Sequence, residues 1–214
     1  RGRKVCGTDL GSPGPIRPMS LDLPAPLTVV LGVIDILEDL GTRYHLGGSF
    51  ASAVHGVPRQ TMGADIVVDL DAVRATRLVD RLKSDFYVDP EVAAGAVSRR
   101  GSFNAIHFAS GFKVDFFVKG DSEFDEAELD RSERCQIIED PPRSVYVKTA
   151  EDTVLRKLQW YTAGGSVSDR QWRDVLGVIM TAGEDIDRDY LRRWADRLGL
   201  GEELGRAMSE AGEL

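Results

Sequence analysis

Seven residues in the first half of the chain, Ala64 to Leu70 (ADIVVDL), constrain the fold more tightly than any other stretch. Ile66, Val68 and Leu70 fall on one face and Asp65, Val67 and Asp69 on the other, the period of a half-buried β-strand. Such a strand needs apolar cover on one side only, and the flanking segments offer it as helices. Leu27, Val30, Leu31, Ile34, Leu37 and Leu40 recur at helical spacing and stop at Gly41. Tyr44 to Leu46 reads as a short strand running into Gly47, Gly48 and Ser49, and a small-residue helix, FASAVHG, follows and ends near Gly56. Asp71 is placed to cap a helix whose apolar face is Val79, Leu82 and Phe86. FNAIHF and KVDFFV, separated by ASG, read as a hairpin. The first half is therefore expected to be α/β with a mixed sheet.

The second half changes character. Residues 120–134 are acidic and weakly periodic, and Pro141-Pro142 follows, so 120–148 is expected to bridge the two halves. From 149 to 214 the pattern is helical. Thr149 with Asp152 and Ser168 with Gln171 look like capped helix starts; Trp172, Leu176 and Ile179 form one apolar stripe and Tyr190, Leu191, Trp194 and Leu198 another. The α/β core is assigned to 19–119. Residues 1–18, rich in Gly, Pro and Arg, are expected to be an expression-tag remnant.

Charge and cysteine content narrow the function classes. Setting residues 1–18 aside removes four basic residues and one acidic one and takes the formal charge from -8 to -11. An acidic total argues against a non-specific nucleic-acid coat, though not against one RNA end held by a local basic patch. No apolar run approaches the roughly 20 residues of a membrane span, so no membrane partner is expected. With Cys6 in the first segment only Cys135 remains, which leaves no disulfide framework and no Cys/His metal cluster for His55 or His107 to join. A cytoplasmic location is expected.

Three features carry chemistry in chain order. Gly47, Gly48 and Ser49 would let backbone N–H groups approach phosphates at the start of a helix, with the Ser49 hydroxyl as a further donor; the alternative is a purely structural turn. Asp65 points away from the core face of its strand. Asp115 lies on the opposite face of its strand from Val114, Phe116 and Val118. Two aspartates on adjacent apolar strands suggest a shared cation, and the alternative is that each faces solvent.

The segment GGSFASAVHGVPRQTMGADIVVDL, with KVDFFV after it, resembles the signature of the polymerase-β-like nucleotidyltransferase superfamily, in particular its AbiEii and MenT-like bacterial branch. The resemblance implies a nucleotidyltransferase fold, a mixed β-sheet flanked by helices with a helical C-terminal half. It also implies Mg²⁺ or Mn²⁺, a nucleoside triphosphate, and an acceptor hydroxyl on a tRNA 3′ end, a protein or a small molecule. The branch further implies a cognate antitoxin or regulatory partner. Gly48 and Ser49 match the family's turn, Asp65 its second carboxylate and Asp115 its third, the last two being the implied catalytic and metal-binding residues. Gly63 stands where the first carboxylate belongs, two residues before Asp65 on the same face. Asp69 cannot replace it, lying four strand residues, about 13 Å, from Asp65. A carboxylate restored at position 63 is expected to strengthen metal binding and nucleotidyl transfer.

The resemblance continues through KTAEDTVLRKLQWY and SDRQWRDVLG and makes Lys157 a candidate for the triphosphate, against the alternative of a solvated lysine beside Val154, Leu158 and Tyr161. Arg59 is a further nucleotide-binding candidate; for it, Arg170 and Asp174, surface or ion-pair roles are the competing reading. Trp160, Trp172 and Trp194 fall at core spacing and are expected to pack inside. The missing carboxylate keeps a second class open, a non-catalytic nucleotide-binding or regulatory module.

Overall fold

A computed structural model of the chain describes residues 25–48, 50–51 and 63–213. Helix α1 (Ala25–Asp39) leads into β1 (Tyr44–Leu46), and β2 (Gly63–Val68) follows. Next come α2 (Ala72–Leu82), β3 (Phe86–Tyr87), α3 (Pro90–Arg99), β4 (Ser102–His107) and β5 (Lys113–Val118). Helix α4 (Glu123–Asp130) and the hairpin β6 (Glu133–Ile138) and β7 (Arg143–Val147) join these to four helices: α5 (Ala150–Ala163), α6 (Asp169–Ala182), α7 (Arg188–Leu198) and α8 (Gly201–Glu213).

The seven strands form one mixed sheet in the order β3-β4-β5-β2-β1-β7-β6. Strands β2 and β5 are parallel, as are β1 and β7; the other pairs are antiparallel. The alternation in ADIVVDL does what it predicts: Ala64, Ile66 and Val68 are buried, while Asp65 and Val67 face the other side. The buried face packs with Ile34 and Leu37 of α1, Leu78 and Leu82 of α2 and Ala96 of α3. Each fully buried Leu, Ile or Phe side chain contributes roughly 1.5–3 kcal/mol by leaving water.

Two stretches differ from the sequence expectation. Phe86 is not on the helix that Asp71 caps. That helix ends at Leu82 with Lys83 as its C-cap, and Phe86 is buried instead as the start of an edge strand paired with His107. Residues 120–148 bridge the halves as ordered structure. Ser122 opens α4 with a capping box, and β7 pairs beside β1 and carries Val145 and Val147 into the sheet core. Phe124 of α4 belongs to a second core, with Leu155 and Leu158 of α5, Ile179 of α6 and Trp194 of α7. The acidic bridge is therefore wedged between two cores.

The helical half carries one buried acid that works against folding at neutral pH. Thr149 caps α5, and Asp152 accepts hydrogen bonds from the Thr149 hydroxyl and from the Tyr190 hydroxyl at 2.7 Å. Burial outweighs those donors and raises the Asp152 carboxyl to about 6. A raised folded-state pKa means the native chain holds this proton more tightly than the unfolded one. The resulting stabilisation is complete below about pH 4 and is lost as pH rises through 6. Asp152→Asn, which keeps an acceptor for Tyr190 without a charge, is expected to stabilise the protein at pH 7.5 by up to about 3 kcal/mol. The gain should vanish at pH 4, as read by denaturant unfolding at the two pH values.

Candidate functional site

The open face of the sheet is ordered by its register. Asp65 stands opposite Asp115, and Asp115 opposite Asn104; one row further along, Val67, Phe117 and Ser102 are aligned; one row back, Gly63 faces Lys113. Adjacent strands lie about 4.8 Å apart, so the two aspartates are immediate neighbours on one face. Asp115 is also ion-paired with Lys113, at 2.8 Å, and is about one quarter exposed.

The glycine turn sits against this row. Strand β1 runs antiparallel to β2, and the Gly47 N–H donates to the Asp65 carbonyl at 2.8 Å, so the chain leaves the sheet beside Asp65. Gly48 has φ +51, and a Cβ built on it would lie 2.5 Å from Asp65 Cγ and nearer still to Oδ2. Only glycine allows both that conformation and that approach. Gly48, Phe50 and Ala51 are helical, and the Ala51 N–H donates to the Gly47 carbonyl at 3.0 Å. Ser49 and Arg59, the other two expected phosphate contacts, lie outside the described residues, as does His55.

Gly47, Gly48 and Asp65 line a cleft of about 700 Å³ between the sheet and α5. Lys157 lines it too, so the turn and the lysine 109 positions later do meet. Lys157 is ion-paired with Asp174 at 3.0 Å, and both side chains are largely buried. Arg100, Lys119, Lys148 and Arg156 also reach this cleft. Arg100 does so from a left-handed backbone, φ 51, at the end of α3.

Lys148 was not singled out from the sequence. It follows β7, its N–H donates to the Leu46 carbonyl, and its Nζ lies 3.8 Å from where a Cβ on Gly47 would be. Its signal was positional: a lysine directly before a helix-capping threonine, at a strand end, is aimed by both elements. Lys148 and Glu128 are 4% and 3% exposed and 2.6 Å apart. Arg156 closes on Glu128 through two nitrogens, at 2.8 and 3.1 Å, and on Asp125 at 2.8 Å. Burial by itself would raise the Glu128 carboxyl, but Lys148 and Arg156 outweigh it and hold Glu128 at about 2. Beside this cluster His45 is wholly buried, with neither ring nitrogen hydrogen-bonded; burial and Lys148 lower it to about 3, so it is neutral. An arginine fork shared by two carboxylates is committed to structure. Lys148 and Lys157 bring ammonium groups to the cleft lining, where a positive charge can meet an anion.

The donors available to a divalent cation are few. Asp65 and Asp115 supply two carboxylates on neighbouring strands, and Gly63 supplies none. Among the described residues no group of three or more His, Cys, Asp or Glu side chains is gathered as an ion would need. Two carboxylates fit one Mg²⁺ whose shell is completed by phosphate oxygens. They do not fit a pair of ions. Position 63 is also not simply vacant, because a Cβ there would sit 2.8 Å from the Lys113 carbonyl oxygen. A restored side chain must push β5, a cost set against the gain in metal binding expected from a carboxylate there.

The tryptophans divide. Trp194 is buried in the helical core, and Trp172 is half-buried with its N–H donated to Glu210. Trp160 is 57% exposed and lines the cleft rather than the core, contrary to its helical spacing. His107 pairs with Ser110 and packs on Phe86, away from the cleft. No described helix is long and apolar enough to cross a membrane.

No protein-family model matches the sequence, and no curated protein does. Solved structures do match the fold. The antibiotic-resistance factor ANT(2'')-Ia, in its solution structure, aligns with a TM-score of 0.55 at 12% identity over 84% of this chain and 96% of that one. An antigenic nucleotidyltransferase-like protein from Paracoccidioides brasiliensis aligns with a TM-score of 0.52 at 17% identity over 86% and 92%. The chain has a nucleotidyltransferase fold.

Two outcomes test this geometry. Gly48→Ala is expected to cost at least about 1–2 kcal/mol from the left-handed backbone alone, with the Asp65 contact adding to it. Gly47→Ala, whose Cβ meets nothing nearer than 3.7 Å, should cost far less; denaturant unfolding of the pair reads the difference. Glu128→Gln removes the buried negative charge that faces Lys148 and Arg156, leaving Arg156 only its Asp125 carboxylate, and is expected to cost about 3 kcal/mol at pH 7. Because the Glu128 pKa is depressed, its stabilisation is present above about pH 4.5 and lost as pH falls towards 2. The deficit of the variant should therefore shrink on acidification.

Proposed function

We propose that the cleft binds a nucleoside triphosphate and that the protein transfers its nucleotidyl group to an acceptor hydroxyl. The observation that carries this reading is the meeting, in a nucleotidyltransferase fold, of a glycine turn pressed on a strand aspartate with Lys148 and Lys157 in the same cleft. The Gly47-Gly48 backbone and the two ammonium groups hold the phosphates, with Ser49 and Arg59 as further candidates. Asp65 and Asp115 hold Mg²⁺ or Mn²⁺, which when bound neutralises phosphate charge and orients the scissile phosphate. The acceptor oxygen is brought to the open side of the Asp65 row, where a carboxylate can take its proton. Acceptor classes to be tried are a tRNA 3′ end, a protein hydroxyl and a small molecule. Within the superfamily the chain is assigned to the AbiEii and MenT-like branch, on the GGS turn and the ADIVVDL and KVDFFV strands, and with it to a cognate antitoxin or regulatory partner.

A second reading, a nucleotide-binding module without transfer, is favoured by one specific feature. Gly63 withholds the first carboxylate, and the Lys113 ammonium already occupies Asp115. The two readings separate on one experiment: α-labelled triphosphates with Mg²⁺ and with Mn²⁺, each acceptor class in turn, with pyrophosphate release and nucleotide affinity both measured. Transfer is expected, falling at least a hundredfold in Asp65→Asn. Affinity without transfer to any acceptor leaves the binding module, and absence of both overturns the two readings together. Gly63→Asp is expected to lose stability, because its Cβ meets the β5 backbone, and to gain transfer only if β5 yields.

A further inference from the structure

We infer that Trp160 is the stacking platform for the nucleobase, at the end of the cleft away from the glycine turn. The inference rests on the triphosphate reading above and goes on to name what selects the base. Thr153, Arg156, Lys157 and Trp160 recur at three- and four-residue spacing on one face of α5, and all line the cleft. The helix starts beside Lys148 at the turn and carries Trp160 ten residues beyond Ala150, about 15 Å along its axis. Phosphates held at Lys148 and Lys157 thus leave the sugar and base directed towards Trp160.

Three observations mark this end as a base site. Trp160 is 57% exposed, whereas the other two tryptophans are packed: Trp194 is 7% exposed against Phe124, and Trp172 lies under Arg206, 3.8 Å from its ring, and beside Tyr161. Among the described residues no ring stacks on Trp160 and no cation covers it, so its indole face is available to a flat partner. The sheet side of the same cleft presents Phe117 and Val67, aligned in register one row from Asp65, so the cleft has an apolar floor beside its α5 wall. Gln171, at the start of α6, lines the same cleft and adds an amide that can donate to and accept from a base edge. An exposed indole and an apolar floor next to paired cations suit a base attached to phosphates. The larger π-face of a purine should gain more from it than a pyrimidine.

The test compares nucleotides with a base-free anion, inorganic tripolyphosphate, on the full chain by calorimetry, using Trp160→Ala and Trp160→Phe. ATP and GTP are expected to bind more tightly than CTP and UTP. Trp160→Ala should weaken ATP binding tenfold or more, the range that base–aromatic stacking supplies, and leave tripolyphosphate within twofold. Trp160→Phe should retain most of the ATP affinity while abolishing the ATP-induced quenching of tryptophan fluorescence. Equal loss for ATP and tripolyphosphate in Trp160→Ala, or no loss for either, overturns the stacking role while leaving the phosphate site standing. A wild-type chain that binds neither ATP nor tripolyphosphate overturns the triphosphate reading and this inference with it.

Discussion

The arrangement depends on a buried ion cluster at the junction of the two cores: Glu128 held between Lys148 and Arg156, with the two members on either side of the contact 4% and 3% exposed. Removing ions from water is expensive, and a buried pair recovers that cost only when geometry and counter-charges are nearly complete. Here one carboxylate answers an ammonium from the end of β7 and a guanidinium from α5, while Asp125 takes the remaining side of Arg156. The participants come from three elements, Asp125 and Glu128 from α4, Lys148 from the end of β7 and Arg156 from α5, so satisfying all of them ties those elements together. Hydrophobic burial pulls both cores together without direction; the cluster fixes how α4, β7 and α5 stand to one another and therefore where the cleft walls lie.

The same logic runs outward along α4. Arg43, at the start of β1, reaches Asp69, Glu126 and Asp130, and Lys119, just past β5, reaches Glu126. Lys119 apart, whose side chain is largely buried, these partners are about a third or more exposed and individually worth little. Together they explain why the bridging segment is acidic: its carboxylates are met by basic residues from β1, β5, β7 and α5. Lys119, Lys148 and Arg156 also line the cleft, so a chain of negative overall charge still presents a wall with positive groups on it.

Local signals made much of this legible in the sequence. The alternation of ADIVVDL placed Asp65 on the open face, and Asp71, Thr149 and Ser168 all cap helices as their residue types suggest. What escaped depends on distant partners. Phe86 follows a helix in the right register to extend its apolar stripe, and only its pairing with His107 makes it a strand residue. Helix α3, capped by Asp89 with Pro90 next, has a run of alanines and a glycine too plain to form a stripe. The hairpin of β6 and β7 was hidden by charge and a proline pair. Lys148 gained its position from Glu128, twenty residues earlier, and Trp160 was misread because helical spacing reports which residues share a face, not whether that face meets a core or a cleft.

The site also separates fold from chemistry at a single position. The glycine turn needs Gly48 because Asp65 leans on it, and both persist here. The register that makes Asp65 and Asp115 neighbours is set by β2 and β5 along their whole length, from Gly63–Lys113 to Val68–Val118. Glycine at position 63 supplies no ligand and lets the β5 backbone come closer than any side chain would permit. The approach of the Lys113 carbonyl to Gly63 goes with the missing side chain, and the Lys113 ammonium separately neutralises Asp115, the second carboxylate of the row. Any cation entering between Asp65 and Asp115 must then displace an ammonium as well as water, which ties metal affinity at this site to the mobility of Lys113 rather than to the carboxylates alone.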